Sequence, residues 1–232
     1  MKIRTLHLIG GAKKAGGLAV IIDVFRAFST ACYVFENGAK KIIPVGNIGI
    51  AYKLKKENPG FLLIGEREGK RPPGFDYGNS PAQIENADFV GKTVVQTTSA
   101  GTLGIANAAN ADEIITGSFV NAQAIVNYIK KRKPGEVSLV CMGNAGTRIT
   151  DEDALCAEYI RNGLENKAND FPKILKHLMG YESAQKFFDP AKDWAPERDF
   201  GLCLALDKFN FVLKAEHDGE NQLFLNKIDV GK

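Results

Sequence analysis

The sequence is sparing with the residues that soft-metal and nucleophilic chemistries use. Its 232 residues include three histidines, four cysteines and one tryptophan. Cys32, Cys141, Cys156 and Cys203 lie far apart in apolar contexts, and none is in a C-x-x-C pair. That spacing argues against a zinc site or a redox dithiol, and it reads as buried, reduced thiols of a cytoplasmic protein. His7, His177 and His217 fall outside the polar segments described below, so a Ser-His-Asp or phosphohistidine mechanism finds no support. Residues 10–17 lack the G-x-x-x-x-G-K-[ST] spacing of a P-loop, and residues 23–30 contain no glycine for a nucleotide fingerprint. No apolar run approaches the ~18–20 residues that span a bilayer. Met1-Lys2-Ile3-Arg4 leads into a strand pattern, so no signal peptide is expected. The net charge of +3 is diluted along the chain. Lys53, Lys55 and Lys56, and Lys130 to Lys133, fall late in expected helices, where cations suit the macrodipole. Neither nucleic acid nor membrane is expected as a partner.

What is present is ordinary for a soluble globular chain: 44% apolar and 25% charged residues. Strand and helix patterns alternate about six times through residue 165. Strands are expected at 2–8, 18–23, 40–45, 61–65, 92–97, 113–116 and 137–142, with helices between them and a further helix opening at Thr150. This alternation predicts a three-layer α/β/α fold with a mainly parallel or mixed central sheet and an active site at the strands' C-terminal ends. Residues 10–17 read as a Gly/Lys loop. Residues 66–80 form a long connection, of the kind that is usually functional or mobile. Beyond residue 165 the chain reads as mostly helical, with 209–214 and 222–228 closing as a hairpin across Asp218-Gly219. No linker or repeat divides residues 1–232, which are read as one domain; a homo-oligomer is in keeping with this size.

The stretch Leu18 to Thr30 organises the reading. Five apolar residues end at Asp23, and Arg26 follows, so a carboxylate and a guanidinium stand where a buried strand ends. The plain alternative is that Asp23 caps the next helix and pairs with Arg26. Three more polar segments fall at strand ends: Glu66-Arg67 with Asp76, Asn79 and Ser80; Thr97 to Thr102; and Asn144 with Asp151-Glu152-Asp153. If the strands are adjacent and parallel, all four share one rim. Thr98, Ser99, Gly101 and Thr102 suggest a turn whose free N–H groups suit a phosphate, or simply a helix cap. Thr150 and Asp153 fit a capping box, which leaves Glu152 free. Asp23, Glu66 and Glu152, brought together from separate strands, would repel without a hard cation, and Mg²⁺ is the natural occupant. Arg26 and Arg67 read as clamps for a doubly charged anion, or as ion-pair partners of Asp23 and Glu66. Trp194 reads as core.

VIIDVFRAFST, GEREGKRPPGFDYGNSP, TTSAGTLGI and LVCMGNAGTRITDEDALCAEYI, in that order, resemble the 2-phosphosulfolactate phosphatase family from about residue 2 to 165. DFGLCLALDKFNFV resembles the family's C-terminal block more loosely. The resemblance implies a three-layer α/β/α fold, a need for Mg²⁺, and hydrolysis of the phosphate ester of 2-phospho-3-sulfolactate, a reaction of coenzyme M biosynthesis. By matching position it puts Asp23, Arg26, Glu66, Arg67, Asp76, Asn79, Ser80, Thr98, Ser99, Gly101, Thr102, Glu152 and Asp153 in the family's motifs. Phe25, Phe28, Asp151 and Glu158 depart from its usual residues, and Phe28 and Glu158, through the site's shape or packing, bear on the substrate more than on the chemistry. The resulting expectation is catalysis by Asp23, Arg26 and Arg67. Substrate contacts are expected from Asn79, Ser80, Thr98, Ser99, Gly101 and Thr102, metal ligation from Asp23, Glu66 and Glu152, and a small anionic phosphoester is the expected partner. Lys70-Arg71 is the expected holder of the sulfonate. The rival expectation is a non-catalytic binder of an anionic phosphometabolite.

Overall fold

The computed structural model describes residues 1–219 and 222–231. In chain order the elements begin β1 (Lys2–His7), α1 (Leu8–Ala12), β2 (Leu18–Ile22), α2 (Ala27–Glu36), β3 (Lys41–Pro44), α3 (Ile48–Glu57) and β4 (Leu62–Gly65). They continue with α4 (Pro81–Ile84), β5 (Thr93–Thr97), α5 (Gly101–Asn107), β6 (Glu113–Gly117), α6 (Ala122–Arg132), β7 (Glu136–Cys141) and α7 (Asp151–Leu164). The last are α8 (Phe171–Gly180), α9 (Gln185–Phe188), α10 (Glu197–Cys203), β8 (Phe211–His217) and β9 (Leu223–Asp229). Helices cover a nine-stranded mixed sheet in three layers, of order β1-β7-β2-β6-β8-β9-β3-β5-β4.

Local signals account for most of these elements. Every residue of β2 is buried, as its unbroken apolar run requires of a strand covered on both faces. Asn47 caps α3 through the Gly49 N–H, and Ser80 accepts from the Gln83 N–H with Pro81 in the first helical turn of α4. Helix α2 is buried from Ala27 to Phe35, as an all-round apolar helix must be. Two expectations change. Residues 10–17 are only partly loop, because Leu8–Ala12 is helical, with Ile9 and Ala12 packed on the core. Tertiary contact there outweighs two helix-averse glycines.

The larger change is in the sheet. Strands β1, β7, β2 and β6 form one parallel block, and β3, β5 and β4 form another. The C-terminal hairpin stands between them: β8 pairs antiparallel with β6 and β9 antiparallel with β3. The blocks therefore run in opposite senses along the ladder, and the four polar strand ends do not share a simple rim. Residues at the ends of β2, β4, β5 and β7 nevertheless line one cavity. No helix among the described residues is long and apolar enough to cross a membrane.

A hairpin in mid-sheet must bear core packing from both blocks. Leu225 is fully buried and opposes Ile42 of β3. Leu225→Ala is expected to destabilise the fold by about 2–5 kcal/mol, as full core truncations do, read as a lowered urea midpoint. A loss below about 0.5 kcal/mol, the size of a surface change, would contradict the hairpin's central place.

Candidate active site

The cavity has a volume of about 540 Å³. Its wall includes Asp23 after β2, Glu66 and Gly69 after β4, Asn79 before α4, Thr98 and Ser99 after β5, and Gly143 and Asn144 after β7. Thr150, Glu152 and Asp153 join them from the start of α7, and Ser183, Lys186, Lys192 and Trp194 from the C-terminal segment.

Asp153 ties two strand ends together. Its Oδ1 accepts the Val24 N–H at 2.8 Å and its Oδ2 the Gly143 N–H at 2.7 Å. Burial, with Glu152 and Asp23 adding like charge, still holds its carboxyl well above the usual range. Asp23 is 7% exposed, and its Oδ1 accepts the Ala27 N–H at 3.1 Å. Burial is the main cause that pushes its carboxyl up to about 6; the Ala27 bond opposes the shift, and the charges of Glu66 and Glu152 add to it. Glu66 accepts the Ser99 N–H at 2.6 Å on one oxygen, and the Gly69 N–H (2.8 Å) and Ser99 hydroxyl (3.2 Å) on the other. Glu152 accepts from the Ser183 hydroxyl.

The capping box expected at Thr150 does not form. Among the described residues Thr150 makes no cap bond and its buried Oγ1 has no partner; Asn79 Oδ1 is likewise buried and unpartnered there. Both residues line the cavity, so two polar atoms are left for a ligand to satisfy.

Arg26 is 3% exposed and does not pair with Asp23. Its Nη1 donates to Asp199 Oδ2 at 2.7 Å and to the Trp194 carbonyl at 2.8 Å. Asp199 is fully buried and also accepts from the Ser80 hydroxyl at 2.9 Å and the Ala82 N–H at 2.8 Å. Ser80 therefore supports the arginine's partner from behind and is absent from the cavity wall. Arg67 also stands outside the wall. Its guanidinium donates to the Glu66 and Gly46 carbonyls and to the Thr97 hydroxyl, bracing the ends of β3, β4 and β5. Lys70 and Arg71 are exposed and outside the cavity, so they do not form the expected sulfonate subsite.

The hydroxyl loop is bonded within itself and to Glu66. Thr98 N–H donates to Thr102 Oγ1, Thr102 N–H to Thr98 Oγ1, and Ser99 N–H to Glu66. These amides are not free for a phosphate. Thr98 and Ser99 still reach the wall; Thr102 and Gly101 do not. Gly101 has a steric role: a Cβ there would lie 2.8 Å from Ala27 Cβ and 2.9 Å from Asp23 Oδ2. Gly69 (φ +82°) similarly seats against the Trp194 ring, which a Cβ would overlap at 2.3 Å.

The donor set fits a hard cation in part. Buried carboxylates at Asp23 and Glu152 raise one another's cost, and a cation would relieve it. Among the described residues no three His, Cys, Asp or Glu side chains are grouped to hold an ion by themselves. A closed Asp23–Glu66–Glu152 cage is therefore not formed. Mg²⁺ does not need one, since it is commonly bound by one or two carboxylates plus water and substrate oxygens.

Lys186, Asp199 and Trp194 are the site residues that the sequence reading missed. Lys186 and Asp199 lie in the short helices α9 and α10 and Trp194 in the connection between them, and only their long-range contacts mark them.

The family model for 2-phosphosulpholactate phosphatase matches residues 4–218. A protein of Caldicellulosiruptor saccharolyticus is 43% identical over 211 residues, covering 80% of this chain and 87% of its own length. One of Bacillus subtilis is 31% identical over 204 residues, covering 87% and 88%, and one of Thermoplasma acidophilum 32% over 207, covering 88% and 90%. All three are named probable 2-phosphosulfolactate phosphatase. The chain belongs to the 2-phosphosulpholactate phosphatase family.

Two outcomes follow from the charges. The folded protein holds the Asp23 proton up to about pH 6, whereas the ordinary value is 3.8. Stability is therefore lost as pH rises through that window, by up to about 3 kcal/mol. With EDTA present, Asp23→Asn is expected to melt above the wild type at pH 8, with the gap closing toward pH 4. A gap independent of pH would contradict the assignment. Asp199→Ala leaves Arg26 buried and unpaired, and it is expected to cost about 3–5 kcal/mol, measured by urea unfolding.

Proposed function

We propose that the chain is a phosphoric monoester hydrolase that cleaves the phosphate ester of 2-phospho-3-sulfolactate, with Mg²⁺ as cofactor. The observation that carries this reading is the cavity itself. Desolvated carboxylates, a fixed guanidinium and two unpartnered polar atoms converge there at strand ends. The family match and the names of the relatives support the substrate.

Asp23 and Glu152 are the carboxylates best suited to hold the ion; Glu66 serves to fix Ser99 and Gly69. When bound, Mg²⁺ would supply Lewis-acid stabilisation of the phosphoryl oxygens. The chain's own part is positioning and electrostatics. Arg26, held by Asp199, sets a positive charge against the equatorial oxygens. Ser99, Asn79 and Thr150 offer hydrogen bonds that orient the ester. Asp23 orients the attacking water. Direct attack by water is preferred because Phe25 occupies the second acidic position of the D-x-D-x-T arrangement used by aspartyl-phosphate enzymes. In the cell, this reading assigns the protein to the cytoplasm and to coenzyme M synthesis.

One observation favours a second reading, a non-catalytic binder of an anionic phosphometabolite. The amides of Thr98, Ser99 and Thr102 are already bonded within the protein, which leaves fewer donors for a developing charge.

Phosphate release from a panel of phosphorylated small acids, with Mg²⁺ and with EDTA, separates the two. Metal-dependent release that peaks on 2-phosphosulfolactate, and falls to background in Asp23→Asn with an unchanged circular dichroism spectrum, is the expected result. Near-normal turnover in that variant would overturn the role of Asp23. Saturable ester binding without any release would favour the binder.

A further inference from the structure

The cavity wall carries four cationic side chains, and three of them have counter-ions. Arg26 pairs with Asp199 at 2.7 Å, Arg148 with Glu182 at 3.0 Å, and Lys192 with Asp189 at 3.4 Å. Lys186 makes no ion pair among the described residues. Its Nζ donates to the Phe25 carbonyl at 3.2 Å and lies 5.7 Å from the Phe25 ring centroid and 5.1 Å from that of Phe187. An ammonium has three donors and no acceptor, so two N–H groups remain after the Phe25 bond. Burial, with Arg26 adding like charge, holds this ammonium below its usual range. The aromatic faces return part of the lost hydration. Asp23 and Glu152 favour the charge from beyond contact distance.

We propose that Lys186 is the specificity-determining residue that receives the substrate's non-transferred sulfonate. The inference rests on the phosphatase reading for its substrate and on the ion-pair pattern for its residue. Three features select the sulfonate over the phosphoryl group. A sulfonate keeps a single, spread negative charge throughout the reaction, which a lone ammonium matches. The phosphoryl group belongs with the carboxylate-held cation and with Arg26. The aromatic pair Phe25 and Phe187 frames Lys186 as an apolar collar suited to a weakly hydrated anion.

The test uses the reaction product, so it does not depend on turnover. Binding of 3-sulfolactate and of lactate, which lacks the sulfonate, is measured by calorimetry for the wild type, Lys186→Met and Lys186→Arg. Loss of one charge-assisted hydrogen bond is expected to weaken sulfolactate binding roughly tenfold to hundredfold in Lys186→Met. Lactate binding should be unchanged, and Lys186→Arg should recover most of the loss. Thermal melting of Lys186→Met at or above the wild type would show that the fold survives. Unchanged sulfolactate binding in Lys186→Met overturns the assignment whatever the turnover. Equal losses for both ligands move Lys186 to the carboxylate and also overturn it. If the wild type releases no phosphate yet binds sulfolactate in a Lys186-dependent way, the phosphatase reading falls and the Lys186 assignment stands.

Discussion

Crowding of buried negative charge where β2 and β7 end is the constraint on which the rest of the site depends. Asp23, Glu152 and Asp153 share one desolvated region, and burial alone disfavours the charge on Asp23 and Asp153. Such a cluster persists only if each carboxylate is held by something other than water. Asp153 has two backbone amides, from Val24 and Gly143, and so joins two neighbouring strands. Asp23 has the first amide of α2, and Glu152 has the Ser183 hydroxyl. These bonds fix where the carboxylates stand in the cavity wall.

The same economy explains why the C-terminal segment belongs to the site. The first two-thirds of the chain provide the carboxylates, and the last third provides what balances them. Asp199 fixes Arg26 from the start of α10, and Lys186 in α9 is the cavity-wall cation without an ion pair among the described residues. Trp194 covers Gly69 and accepts from Arg26 through its carbonyl. The β8–β9 hairpin then locks the two parallel blocks together in mid-sheet. A segment that would otherwise pass for a helical appendage is thus part of both the core and the cavity.

Much of this was legible before any coordinates. The apolar run Leu18–Ile22 announced a strand buried on both faces, and Asp23 after it announced a polar strand end. Asn47 and Ser80-Pro81 have the residue types of helix starts, and the structure has helix starts there. The polar strand ends carry Asp23, Arg26, Glu66, Asn79, Thr98, Ser99 and Glu152, and all seven line the cavity. Other polar residues at these strand ends have roles that their local pattern does not convey. Arg67 and Ser80 are braces behind the wall, Gly101 makes room for Asp23, and Thr150 faces the cavity in place of capping α7.

The sequence by itself determined the elements and the strand ends that carry charge, because periodicity, caps and turn residues act over a few positions. Only the tertiary structure decided which of those charges meet. Arg26 and Asp199 are 173 residues apart, and no local pattern links them. The hairpin's place depends on which edges remain unpaired once both parallel blocks exist, and Lys186 stands out only when the counter-ions of its neighbours are known. Those are properties of distance in space, and a short-range signal does not contain them.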